Sequence, residues 1–143
     1  MLKSVCLIAA ALVIAGPALA DSTCGSAKPA PFIPGASALS GLTTDQAHEK
    51  VLAVLKDIRD WQGDIDKVYY DCLDKQAVVQ KAALASAKDD SAKKAASEAI
   101  EDIQKNYDST HKVEVELASE FKTLHDAYCA MGDGLKGCAA PKK

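Results

Sequence analysis

The side chains with the most chemical potential are four cysteines, Cys24, Cys72, Cys129 and Cys138. Paired thiols form disulfides in oxidising compartments, whereas in reducing ones cysteine serves more often as a metal ligand or a nucleophile. The role of these cysteines therefore depends on the compartment, which the N-terminal residues indicate.

Met1–Ala20 has the pattern of a secretory signal peptide. Lys3 provides the positive start, an uncharged apolar run follows, and Ala18-Leu19-Ala20 forms a small-residue cleavage site before Asp21. The apolar run contains Gly-Pro and is shorter than the ~20 residues that a spanning helix needs. We therefore predict a periplasmic or secreted protein with no stable membrane insertion after cleavage. Cys6 leaves with the signal peptide, and the remaining cysteines are expected to form two disulfides.

The histidines offer one candidate metal site. His111 and His125 are separated by about 21 Å along a helix, so they cannot share an ion. If the chain folds back on itself, however, His48 comes near His125, and Glu49 and Asp126 lie beside them. The simpler interpretation of these four residues is a set of exposed polar side chains at helix ends.

No arrangement typical of a catalytic site occurs in the sequence. There is no His-Glu-x-x-His motif, Cys-x-x-Cys pair, calcium-binding loop or serine nucleophile elbow. Gly132-Asp133-Gly134 is typical of a helix stop rather than a phosphate-binding loop. The net charge of −3 disfavours nucleic acid, which usually binds a basic face. We predict a protein that is not an enzyme, needs no cofactor and does not bind nucleic acid.

An extended arm and a long helix must position these residues. Three prolines between residues 29 and 34 fix φ and favour extended structure over 21–43. Thr44 is the expected N-cap of helix 1, which should run from about Asp45 to about Ala87 with an a/d heptad stripe typical of a coiled coil. The stripe comprises Ala47, Val51, Val54, Ile58, Trp61, Ile65, Val68 and Cys72, is widened by Leu55 and Tyr69, and is interrupted by Lys75 before Val79 and Ala82.

A polar break near 87–91 separates helix 1 from a second helical repeat, which Asp90 or Ser91 should cap. The predicted fold is all-α, with two long antiparallel helices forming a helical hairpin over 44–131 and a Gly-rich loop over 132–143. A single continuous helix through residue 90 is the alternative, because the break contains neither Gly nor Pro. The apolar positions of helix 2 are Ile100, Ile103, Tyr107, Thr110, Leu117, Phe121, Leu124 and Tyr128, with a weak stretch around Glu114.

Hairpin geometry favours one pairing of the cysteines. Cys72 and Cys129 would be about 35 Å apart along the helix axis, beyond the ~7 Å limit between bonded Cα atoms. Cys129 and Cys138 can close a local Gly-rich loop, which leaves Cys24 to meet Cys72 at the end of an arm that is long enough. Pairing of Cys24 with Cys129 or Cys138 stays open, because the arm could also reach the far end of helix 2. In the favoured arrangement the arm folds back along helix 1, and its apolar residues Phe32, Ile33, Leu39 and Leu42 could cover the stripe.

The chain resembles a loosely defined group of small exported helical-hairpin proteins from Gram-negative bacteria, whose function is unassigned. The resemblance rests on the early Cys24, the Pro-rich run from Lys28 to Ala38, the Tyr69-Tyr70-Asp71-Cys72-Leu73 box and a Tyr107-to-Tyr128 pattern in helix 2. It implies an arm-to-helix bridge between Cys24 and Cys72. The Cys129 and Cys138 pair departs from the pattern as an added local bridge.

These features together predict an exported, disulfide-stabilised, non-enzymatic helical protein with a binding or structural-association role. Its partner would be an unidentified protein or a second copy of the chain, because a thin, Ala-rich two-helix core leaves seam surface unpaired. The alternative is a small-ligand or metal carrier that uses the helix ends near His48 and His125.

Overall fold

The computed structural model describes residues 24–139. The predicted signal peptide, its cleavage site and Cys6 lie outside the described residues. Over 24–139 the regular structure is entirely helical, with no strand, which confirms the all-α class. None of the helices in this range has the length and apolar character required to cross a membrane.

The first long helix has three consecutive parts: α1 (Thr44–Asp64), a π-helical segment (Ile65–Tyr70) and α2 (Asp71–Ser86). The backbone stays in the right-handed helical region at both junctions, so the helix is continuous. It begins with a capping box, in which the Thr43 hydroxyl accepts from Gln46 N and the Gln46 side chain accepts from Thr43 N. The predicted N-cap, Thr44, was therefore wrong by one residue. Thr44 has Ala47 three positions on, and alanine cannot return the second bond.

The second long helix, α3, spans Asp90–Cys129. The chain leaves the first helix at Ala87, which has extended backbone, and Asp89 caps α3 by accepting from Ala92 N at 2.8 Å. The predicted caps, Asp90 and Ser91, were late by one or two residues, and Asp90 instead lies in the first turn. A carboxylate there is favourable beside the positive end of the helix dipole. The alternative of one helix through residue 90 is wrong.

The π segment changes which side chains face the core. The heptad repeat predicts that Val68 is buried, yet it is 68% exposed, while Tyr69 and Leu73 are 7% and 0% exposed. A π-helix has more residues per turn than an α-helix, so the inward positions continue from Ile65 in steps of four. Cys72 consequently lies beside the core rather than in it.

The core side of α3 follows a regular seven-residue repeat. Most of its predicted apolar positions are buried or half-buried. A second set of positions, four residues after the first, is half-buried except for the buried Tyr128, and it contains Glu114 in place of an apolar residue. This substitution explains the weak stretch of the sequence pattern. The buried positions of this repeat are Ala96, Ile103, Thr110, Leu117 and Leu124.

The arm contacts both long helices. The Trp61 indole N–H donates to the Lys28 carbonyl at 2.9 Å, and a 3₁₀ turn at Ala36–Leu39 contacts α3. Ile33 is 7% exposed. The prediction that Phe32 covers the stripe was wrong, because its side chain is 87% exposed. Neighbouring residues of an extended chain point to opposite sides, so a buried Ile33 turns Phe32 outward.

Candidate functional site

The four cysteines form two disulfides. Cys24 is bonded to Cys72 and Cys129 to Cys138, with Cα–Cα distances of 5.7 and 5.6 Å. These are the two pairings that the helix geometry favoured. Two disulfides are compatible with an oxidising environment.

One group of aromatic and imidazole rings lies where α1 begins and α3 ends. His48 and His125 both contact the Tyr128 ring, with centroid distances of 5.4 and 6.3 Å. His48 Nδ1 is buried and has no hydrogen-bond partner within the described part of the chain. Tyr128 is 2% exposed, so the two imidazoles flank a buried phenol ring.

The four residues considered for a metal site are not brought together as one ligand set. Glu49 is exposed, and Asp126 forms an ion pair with Lys122. Within residues 24–139, the side chains close enough to hold one ion are His125, Cys129 and Cys138, whose ligand atoms lie within 4.8 Å of one another. Both ring nitrogens of His125 lie 3.8 Å from Cys129 Sγ.

A second polar cluster lies at the middle of the helix–helix seam. The Tyr70 and Tyr107 rings stack at 4.9 Å. Tyr107 donates its hydroxyl hydrogen to Asp74 at 2.5 Å, and Tyr70 donates to Glu114 at 3.2 Å. The same Glu114 oxygen lies 3.3 Å from His111 Nδ1. These residues line a shallow, solvent-open depression of about 520 Å³.

The electrostatics of this cluster keep both phenols protonated. Burial, reinforced by the Glu114 carboxylate, raises the pKa of Tyr70 to about 12. Burial and the hydrogen bond to Asp74 likewise raise the pKa of Tyr107 to about 12. At neutral pH both hydroxyls are therefore hydrogen-bond donors rather than nucleophiles. Such a satisfied polar pair within an apolar seam is suited to fixing the register of the two helices.

We expect the cluster to make the protein sensitive to alkali. Both phenols have folded-state pKa values above the ordinary 10.0, so their contribution is complete below pH 10 and is lost as the pH rises toward about 12. Denaturant unfolding across this range should show a steeper loss of stability for the unmodified protein than for the Tyr70→Phe/Tyr107→Phe variant. Parallel curves for the two proteins would contradict this assignment, because lysine deprotonation is common to both.

Sequence reasoning did not identify the seam cluster as a site. The available signal was a polar residue at a seam position of α3, since Glu114 follows Tyr107 by one heptad and precedes Phe121 by another. A carboxylate on the core-facing side of a helix requires a hydrogen-bond donor from the helix it packs against. In the structure that donor is Tyr70 on the facing helix.

No family model matches the chain, and no curated protein or solved structure was found to be similar to it.

Proposed function

We propose that this chain is an exported, disulfide-stabilised helical hairpin that acts by association with a second copy of itself rather than by catalysis. Contacts between distant residues support the antiparallel hairpin. His48 in α1 meets Tyr128 near the end of α3, whereas Tyr70 at the end of the π segment meets Tyr107 nearer the middle of α3. The Cys24–Cys72 bond supports an arm that folds back along the first helix.

The observation that carries the association proposal is an exposed apolar face on the first long helix. We call Val68, Val78 and Val79 the outer face; they are 68%, 69% and 61% exposed. The π segment turns the continuation of the heptad stripe outward, so α2 presents apolar residues on two sides. One side packs through Leu73, which is fully buried. The outer side contains β-branched residues that strongly favour burial against another surface.

Charge along α2 favours a second copy as the occupant of the outer face. Asp71 is exposed in the first turn of the helix, and Lys81 is exposed toward its other end, whereas Asp74 turns to Tyr107 in the seam. A two-fold antiparallel pairing of two α2 helices places Asp71 of one copy toward Lys81 of the other. A parallel pairing would set like charges opposite one another.

The test is the solution mass of the disulfide-intact protein across a concentration series, by light scattering after size exclusion. We expect a monomer–dimer equilibrium for the unmodified protein. The Val78→Lys/Val79→Lys variant should dissociate at a concentration at least tenfold higher, which corresponds to about 1.4 kcal/mol. Lysine is costly at this interface because its charge would be desolvated.

Val115→Lys is the matched control, because Val115 is 55% exposed on α3 and lies outside the outer face. Its dimer should form as in the unmodified protein, and circular dichroism should show that all three proteins keep their helix content. A monomeric mass at every concentration, or equal weakening by Val115→Lys, would overturn the proposal.

A further inference from the structure

The C-terminal disulfide lies beside an imidazole in an arrangement that resembles a closed metal site. His125 and Cys129 are four residues apart, which places both on one face of α3. Cys138 returns to them from the Gly-rich loop. The loop passes directly over the imidazole, because a Cβ added at Gly137 would lie 3.9 Å from His125 Nε2. The three side chains therefore approach one another from a helix and a loop.

The spacing of His125 and Cys129 fits two ligands of a tetrahedral ion. With Zn–S and Zn–N bonds of about 2.3 and 2.1 Å, a sulfur and a nitrogen ligand stand about 3.6 Å apart, and two sulfurs about 3.8 Å. The observed separation of 3.8 Å between the His125 nitrogens and Cys129 Sγ is close to the first of these values. The two bonded sulfurs must move apart, in a loop that contains three glycines.

We propose that His125, Cys129 and Cys138 form a Zn²⁺ site in the reduced protein, so that the C-terminal loop is closed either by a disulfide or by a metal ion. A dithiol reductant supplies two electrons and two protons to the disulfide and becomes a disulfide itself. Zn²⁺ then binds the two thiols as thiolates and releases their two protons. The site has three protein ligands, and water occupies the fourth position.

The donor set determines the class of ion. Two thiolates and one imidazole favour Zn²⁺ over Mg²⁺ or Ca²⁺, which prefer oxygen ligands. In the oxidised protein the sulfurs are bonded to each other, so the site is available only after reduction. The proposal is independent of the association described above, because the outer face lies on the first long helix and this site lies at the end of α3.

The experiment uses the full mature chain reduced with a phosphine and titrated with Zn²⁺, followed by alkylation and peptide mass mapping. We expect Zn²⁺ to protect Cys129 and Cys138 from alkylation while Cys24 and Cys72 react as they do without metal. Co²⁺ should give the absorption of a tetrahedral thiolate site at one ion per chain. The oxidised protein should show neither signal.

His125→Ala should weaken Zn²⁺ binding by roughly tenfold or more, because removing even a group that only orients a ligand costs 10–100-fold. His111→Ala is the matched control, since His111 is an exposed histidine elsewhere on α3. Equal protection of all four cysteines would overturn the proposal. So would an absence of protection, or unchanged binding in His125→Ala.

Discussion

Replacing Cys24 and Cys72 together with serine is expected to lower the free energy of unfolding by about 4 kcal/mol. The bridge joins residues 48 positions apart, and the loss of chain entropy on closing a loop of that length in the unfolded state corresponds to this value. Replacing both cysteines leaves no free thiol to form other bridges. Denaturant unfolding by circular dichroism measures the difference, and a non-reduced peptide digest of the parent protein verifies the pairing.

The Cys129→Ser/Cys138→Ser variant is the internal comparison. Its loop spans only 9 positions, so the same relation gives about 2.5 kcal/mol. The arm bridge should therefore cost more than the local bridge, although both contain one S–S bond. Equal costs for the two variants would contradict the loop-entropy explanation. A cost near zero for the arm bridge would show that the arm does not stabilise the folded chain.

The boundaries of the long helices were predictable to within one or two residues. Capping depends on side chains near in sequence, and the remaining errors concern which of two adjacent polar residues acts as the cap. Thr43 was preferred over Thr44 because only Thr43 has Gln46 available to return a hydrogen bond. Asp89 was preferred over Asp90 at α3. Local rules identify the region of a cap, whereas the bonds formed by its neighbours select the residue.

The heptad repeat could not predict which side chains are buried in the second half of the first long helix. Val68 and Cys72 continue the heptad spacing without a break, yet Tyr69 and Leu73 are the buried residues. The difference follows from one π segment. It aligns Tyr70 with Tyr107 and Cys72 with Cys24, and these are contacts between residues distant in sequence. A periodic pattern contains no information about such contacts.

The candidate sites likewise divide into one part that the sequence could predict and one part that depends on contacts between distant residues. The disulfide pairs could be predicted because the length of each helix limits which cysteines can meet, and that length follows from the sequence. The group formed by His125, Cys129 and Cys138 could not be predicted, because it depends on how a Gly-rich loop crosses the end of α3. His48 lies near this end of α3, where it contacts the Tyr128 ring and is not part of that group.

Trp61 is the buried side chain that connects the arm to the first long helix. It is 3% exposed, and its indole N–H donates to the Lys28 carbonyl. The Lys28 ammonium also pairs with Asp64 at 2.5 Å, but both side chains are more than half exposed, so this ion pair contributes little. We therefore expect the buried indole, rather than the ion pair, to hold residues 24–33 of the arm against the first long helix.

Trp61→Ala is expected to lower the free energy of unfolding by about 3–5 kcal/mol, because it leaves a cavity where a large buried ring contacts the arm. Val115→Ala on the exposed surface should change it by less than about 0.5 kcal/mol.

Trp61→Phe should cost about 1–2 kcal/mol in the disulfide-bonded protein, since it retains an aromatic ring but removes the N–H donor. In the Cys24→Ser/Cys72→Ser background that cost should fall toward zero, because an arm that has detached no longer contacts residue 61. Unfolding curves of the parent protein, Trp61→Phe, Cys24→Ser/Cys72→Ser and the combined variant form a double-mutant cycle. Strict additivity would show that the indole contact does not depend on the disulfide, and the expectation that the arm detaches without the bridge would then be wrong.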